Sequence, residues 1–249
     1  MYHFFVEPHQ IDIQNKTATV TGADFNHIRN VLRVKPGEEI SLSNGIDARE
    51  YRCAVRAFGE DHVDLELRFI KEENVELDSR IYLFQGLPKS DKMETVIQKA
   101  VELGVYEIIP VSMSRSIVKL DEKKALSRVA RWQQIAEAAA KQSKRGIIPK
   151  VHEIISFKQA IEYAKPLDVK LIPYEMAHSM EETRRIIGEI KSGDSIGFII
   201  GPEGGIDENE LNLAMDAGFK QITLGKRILR TETAGMTVMS ILMYNLESD

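Results

Sequence analysis

The sequence predicts an α/β protein in which a small β-rich module precedes a mostly parallel sheet covered by helices. Two observations carry this. Residues 1–70 contain short runs of alternating apolar and polar residues at roughly ten-residue intervals, as strands with one buried face do. From Arg80 onward, short apolar runs alternate with stretches whose apolar residues recur every third or fourth position, so strands and helices take turns.

In the first module the strands are Thr17–Thr21 before Gly22, Glu39–Leu42 before Asn44-Gly45, Tyr51–Val55 and His62–Leu67. Their spacing suits a small β-barrel or a sandwich. A helix from Asp24 to Leu32 interrupts them, with Ile28, Val31 and Leu32 on one face. The acidic stretch Lys71–Glu76 is the linker candidate, because the pattern changes after it, and it divides the chain into domains 1–72 and 73–249.

Beyond the linker, Ile81–Gln85 is a continuous apolar strand followed by the loop Gly86–Ser90. Asp91 and Glu94 have capping-box spacing for a helix that aligns Met93, Val96, Ile97, Ala100 and Val101 and closes at Gly104. A strand at Glu107–Val111, a helix over about Ser127–Gln142 and strands near Lys170–Pro173 and Ile196–Ile200 come next. Asp207 and Glu210 open another capped helix that ends at Gly218. The strand Ile222–Leu224 leads to Gly225, and a last helix runs from about Thr231, its cap, to Leu246.

Composition sets the class. With 249 residues, 43% apolar and 29% charged, the chain can bury a full core without a disulfide or metal staple. Its one cysteine, Cys53, excludes an intramolecular disulfide and a cysteine zinc cluster, and reads as a small buried hydrophobe in a reducing compartment. The first residues lack a basic signal region and no apolar run approaches the roughly 18 residues of a membrane span, so a cytoplasmic protein with no membrane partner is expected.

The net charge of −5 argues against a general nucleic-acid binder, but the charge is segregated. Residues 80–150 hold 14 Lys and Arg against 7 Asp and Glu, while 1–72, 73–79 and 151–249 are each net acidic. A basic middle between acidic ends suits a phosphate-tracking face, and equally the solvated faces of ordinary helices.

P-loop, dinucleotide-fold, serine-hydrolase and zincin motifs are absent, and the six histidines have no metal-ligand spacing, so no metal is expected. Three constellations remain. Gly201-Pro202-Glu203-Gly204-Gly205 follows a strand directly and precedes a capped helix, where glycines let backbone approach a ligand; a plain tight turn also suits them. Leu224-Gly225-Lys226-Arg227-Ile228-Leu229-Arg230 follows the next strand, with Ile228 and Leu229 expected to be buried between arginines. Glu232 lies near a helix N-terminus, where capping alone would explain it. The third group is Pro88–Met93, Ser114-Arg115-Ser116 and Lys141–Arg145, cationic ends of elements that could converge on phosphates. Trp132 and Ile135 read as core.

The blocks Pro88-Lys89 to Met93, Gln98–Val105, Ala138–Arg145, Gly201–Gly205 and Ile228–Ala234, in this order, resemble the RsmE family of SPOUT methyltransferases; Asn26–Arg33 resembles the family's RNA-binding entry. The resemblance implies a PUA-like RNA-binding β-barrel at 1–72 and a SPOUT α/β domain at 73–249 whose C-terminal segment, about 196–249, forms a deep trefoil knot. It implies S-adenosylmethionine held by loops around Pro173, Tyr174 and Glu175, around Gly201, Pro202, Glu203, Gly204 and Gly205, and around Leu224, Gly225, Ile228 and Leu229. It further implies a homodimer through the knotted region and methylation of N3 of one uridine of 16S rRNA in the assembled small ribosomal subunit.

Methyl transfer to an imide nitrogen needs alignment, an unpaired base, and stabilisation of developing negative charge. Arg230 is the first candidate for that cation and Arg115 the second. Glu232 could take the imide proton, or solvent could. Arg29, Arg33, Lys89, Lys144 and Arg145 are the candidate RNA contacts. Two other classes remain open at this level: an RNA-binding assembly protein without cofactor, and a SPOUT enzyme acting on transfer RNA or a ribose hydroxyl.

Overall fold

The structure, a computed structural model, describes residues 1–71, 75–118, 121–175 and 179–247. The central part of the expected linker, Glu72 to Asn74, lies outside the described residues. The chain forms two compact units, one of Met1–Glu76 with Ala140–Ile148 and one of Leu77–Ala139 with Pro149–Asp249.

The first unit contains β1 (His3–Phe5), β2 (Ile11–Asp12), β3 (Thr17–Thr21), α1 (Gly22–Asn26), β4 (Glu39–Ser43), β5 (Glu50–Phe58) and β6 (His62–Lys71). They make one six-stranded sheet in the order β1-β4-β5-β6-β3-β2, antiparallel except for the β1–β4 pair. A single sheet removes the sandwich alternative. Alternation explains the core: Val63, Leu65 and Leu67 of β6 point inward with Ile40, Leu42, Tyr51, Cys53 and Val55. At the turn after β4, the Asn44 side-chain oxygen accepts from the N–H groups of Ile46 and Asp47 at 3.0 and 3.1 Å.

The helix expected over Asp24–Leu32 is shorter. After α1 the chain widens into a π-type turn, His27–Val31, with Leu32 N–H donating to His27 O at 2.9 Å. The wider turn keeps Phe25 and Ile28 in the core and swings Val31 into solvent, 66% exposed. The segment 140–148 belongs to this unit because Arg145 is buried there. Its guanidinium pairs with Glu76, whose carboxylate also accepts from the Gly146 N–H at 3.0 Å.

The second unit contains β7 (Arg80–Gly86), α2 (Lys92–Glu102), β8 (Glu107–Ser112), most of α3 (Glu122–Ser143), β9 (Lys150–Val151), β10 (Ile155–Ser156), α4 (Phe157–Ala164), β11 (Val169–Pro173), α5 (Met180–Gly188), β12 (Ser195–Ile200), α6 (Glu208–Asp216), β13 (Lys220–Ile222) and α7 (Thr231–Leu246). The sheet is parallel throughout, ordered β10-β8-β7-β12-β11-β13, with β9 also on β8. Strands covered on both faces must be apolar on both, and β12 is buried from Ile196 to Ile200. Trp132 is buried in α3 and Ile135 half-buried.

Three capping expectations resolve differently. Asp207 and Glu210 form the capping box of α6. Asp91 makes no side-chain cap for α2, and Glu94 turns instead to Arg131 at 2.7 Å. Thr231 is the first residue inside α7 rather than its cap, because its hydroxyl is committed to Gly201 and Gln85.

Candidate cofactor and RNA site

The strand order reverses around β7. The chain steps from β7 to β8 on one side, then later places β12 on the other, which opens a crevice beyond the carboxyl ends of the strands. Loops from the ends of β11, β12 and β13 meet there and line a cavity of about 560 Å³. Pro173, Tyr174, Glu175, Gly201, Pro202, Glu203, Gly204, Gly205, Leu224, Gly225, Ile228 and Leu229 all line it, with Arg115, Arg230 and Lys92. The sequence-predicted loops therefore converge in one place.

Neighbours crowd two of these glycines. A Cβ on Gly201 would stand 2.9 Å from Ile206 Cγ1, and one on Gly204 would stand 3.0 Å from both Cβ and O of Arg115. Gly225 has φ of +106°, a conformation that side chains disfavour, and open space beside it. The start of that loop is pinned where the Thr223 N–H donates to Thr183 Oγ1 at 2.9 Å.

Arg115 donates to Gly204 O at 3.2 Å and lies 3.8 Å from Asp207, so it braces the glycine loop as well as lining the cavity. Ser114 is held in turn by Glu210 Oε1, which accepts from its N–H and hydroxyl at 2.8 and 3.1 Å. Arg230 is exposed at the cavity rim. Ile228, expected to be buried, is 86% exposed, and Leu229 is half-buried, because the loop rides over the cavity instead of folding into the core. Glu232 is not among the lining residues; its carboxylate faces Lys92 at 3.5 Å.

Among the candidate RNA contacts, Lys89, Lys144, Arg29 and Arg33 are exposed. Arg29 also lies over the Phe25 ring at 5.7 Å and donates to Gly59 O at 3.1 Å. Arg145 is the correction: only 4% exposed and clamped by Glu76, it has no free face for a phosphate. Sequence reasoning missed Gln85, and it grouped Lys92 with the cations that could converge on phosphates, whereas its ammonium faces Glu203 and Glu232. Gln85 is polar inside an apolar strand, which was a legible signal.

Burial alone would raise the Glu203 carboxyl, but the Lys92 ammonium and backbone N–H donors, Lys89 among them, together hold it below its usual value. Among the described residues, no group of three or more His, Cys, Asp or Glu could hold a metal ion.

A cavity of about 560 Å³ at a parallel-sheet switch point suits an enzyme that binds a small molecule, and comparison with known proteins gives the class. Residues 75–243 match the RNA methyltransferase domain family, and residues 20–68 the RNA methyltransferase PUA domain family. The chain is an RNA methyltransferase with a PUA domain. It is 36% identical to the ribosomal RNA small subunit methyltransferase E of Bacillus subtilis, over 99% of this chain and 98% of that one. The protein of that name from Mesomycoplasma hyopneumoniae is also 36% identical, over 96% and 98%. The crystal structure of a ribosomal RNA small subunit methyltransferase E from Neisseria gonorrhoeae bound to S-adenosyl methionine superposes with a TM-score of 0.83, at 32% identity, covering 98% of this chain and 97% of that one. The chain belongs to the ribosomal RNA small subunit methyltransferase E family.

Proposed function

We propose that the protein methylates N3 of a uridine in 16S rRNA of the assembled small ribosomal subunit, with S-adenosylmethionine bound in the cavity at the ends of β11, β12 and β13. The observation that carries the cofactor site is the convergence of three separate loops on one cavity. A volume near 560 Å³ is in the range of small-molecule sites. Pro173, Leu224 and Leu229 offer apolar surface, and Glu175 offers a carboxylate to hydroxyl or cationic groups. When bound, S-adenosylmethionine supplies the methyl group.

The chain's own residues align the partners and exclude water. Arg230, at the rim, stabilises negative charge developing on the uracil oxygens, and Arg115 keeps the glycine loop in register. Glu232 faces Lys92 rather than the cavity, so the imide proton leaves to solvent. The unit with the PUA domain holds RNA, with Arg29, Arg33 and Lys144 as its phosphate contacts; Lys89 serves from the second unit.

The segment 196–249 forms the trefoil knot in this reading, supported by the way the loops after β12 and β13 run together and are tied where Thr231 donates to Gly201 O at 2.7 Å. The same segment makes the homodimer. Helix α7 buries Val238, Met239 and Leu242 on one side, yet Met236, Ile241 and Tyr244 line an apolar groove on the other, with Tyr244 86% exposed. Ribosomal RNA as substrate supports a cytoplasmic location in this reading; among the described residues no helix is long and apolar enough to cross a membrane.

The test is labelled methyl transfer from S-adenosylmethionine to small subunits lacking the modification, with free 16S rRNA and bulk transfer RNA alongside. Label confined to small subunits supports the proposal, and label in transfer RNA reassigns the substrate. No label with any RNA removes the enzymatic reading.

A further inference from the structure

Two ties hold the glycine loop to helix α7, one ordered by a side chain at the end of β7 and one made by a side chain at the start of α2. In the inner tie, Gln85, fully buried, donates through Nε2 to Thr231 Oγ1 at 2.9 Å. That leaves the Thr231 hydroxyl proton for Gly201 O at 2.7 Å. In the outer tie, the Lys92 ammonium lies 2.9 Å from Glu203 and 3.5 Å from Glu232. Residues 231 and 232 are thus held, one after the other, to residues 201 and 203.

The outer tie is electrostatically one-sided. Lys92 is one cation between two carboxylates, and Glu232 Oε2 is buried with no hydrogen bond of its own, so its nearby charge is the ammonium. The hydrogen bond to Glu203, joined by the charge of both carboxylates, raises the Lys92 ammonium above its ordinary value, so it stays charged. Removing it would leave two carboxylates facing each other beside a cavity built for a ligand. Its place in the basic segment suggests an RNA contact, yet its ammonium faces two protein carboxylates.

We propose that Lys92 is a positioning residue: by bridging Glu203 to Glu232 it fixes the glycine loop against the start of α7 and so sets the shape of the cofactor cavity. This rests on the reading that S-adenosylmethionine occupies that cavity. It assigns Lys92 no contact with RNA phosphates.

The test measures S-adenosylmethionine affinity by calorimetry, and KM for RNA and kcat at several salt concentrations, for the wild type, Lys92→Met, Lys92→Arg, Glu232→Gln and the Lys92→Met/Glu232→Gln pair. The latch predicts that Lys92→Met weakens cofactor binding by about tenfold or more while KM for RNA changes by less than about twofold. Lys92→Arg should restore most of the affinity, and the double variant should bind better than Lys92→Met alone, because one of the two opposed carboxylates has been neutralised. Unchanged cofactor affinity in a folded Lys92→Met protein overturns the proposal. So does a rise in KM for RNA with a shallower salt dependence, which would mark a phosphate contact. If the wild type itself binds no S-adenosylmethionine, the cofactor reading fails before the latch is reached.

Discussion

Gly86 ends β7 beneath the glycine loop, and replacing it with alanine measures how rigidly the sheet fixes that loop. A Cβ there would stand 2.7 Å from Met113 Sδ and Pro202 Cδ, and 2.8 Å from the backbone N of Pro202. The thioether can turn away, but Pro202 can yield only by moving the loop. Ordinary contact begins at 3.4 Å, so Pro202 N must retreat by about 0.6 Å. Overpacking of this kind costs about 1–3 kcal/mol. If the fold absorbs it, the melting temperature falls by roughly 2–12 °C. If the loop absorbs it, S-adenosylmethionine binds about 5- to 150-fold more weakly. Calorimetry on the same samples reads both quantities. Gly188→Ala is the control, since nothing lies within 4 Å of a Cβ at that helix end, and it should be neutral or slightly stabilising. A Gly86→Ala protein with unchanged melting temperature and unchanged affinity would refute the claim that β7 sets the position of the loop.

Arg145→Ala should lower stability by about 3–5 kcal/mol in denaturant titrations, because it removes the buried guanidinium that pairs with the Glu76 carboxylate. A phosphate contact would instead show as a salt-dependent loss of RNA affinity with stability unchanged. Lys89→Ala and Lys144→Ala, both at exposed sites, should each reduce the slope of log affinity against log salt by about 1 and leave melting unaffected. Because the Glu203 carboxyl is lowered in the folded protein, its contribution to holding the loop is complete above the ordinary value of 4.5. It is lost as the pH falls through the lowered value, so cofactor titrations should be insensitive to this carboxyl above pH 4.5 and weaken below it. Burial pushes the Cys53 thiol up to about 12, so it should resist alkylation in mild base until the protein unfolds.

The central strands of the parallel sheet were legible because burial on both faces forces unbroken apolar runs such as Ile81–Phe84 and Ile196–Ile200, whereas the last strand, expected at Ile222–Leu224, lies two residues earlier at Lys220–Ile222. The glycine loop was legible because Gly and Pro cluster where a strand ends. Helix α4 was missed although Ser156 and Gln159 carry its capping box, since the eight-residue helix shows too little periodicity. The two-residue strands β9 and β10 exist only through pairing with β8, which no local pattern encodes. The inclusion of 140–148 in the first unit was not legible either. Attaching 140–148 to the first unit depends on Arg145 meeting Glu76 across 69 residues of sequence. Charge misled in the same way at both ends of the basic segment: Arg145 and Lys92 read as cations available to phosphates, and both are held by carboxylates distant in sequence. The exposure of Ile228 escaped prediction because apolar residues default to the core, whereas this one stands at the mouth of a site.

The most direct test is nucleoside mass spectrometry of 16S rRNA from small subunits after reaction with S-adenosylmethionine carrying a labelled methyl group. The account predicts a single labelled product, 3-methyluridine, that disappears with Arg230→Ala in a protein of unchanged melting temperature. Label on a ribose 2′-hydroxyl or on another base would contradict it.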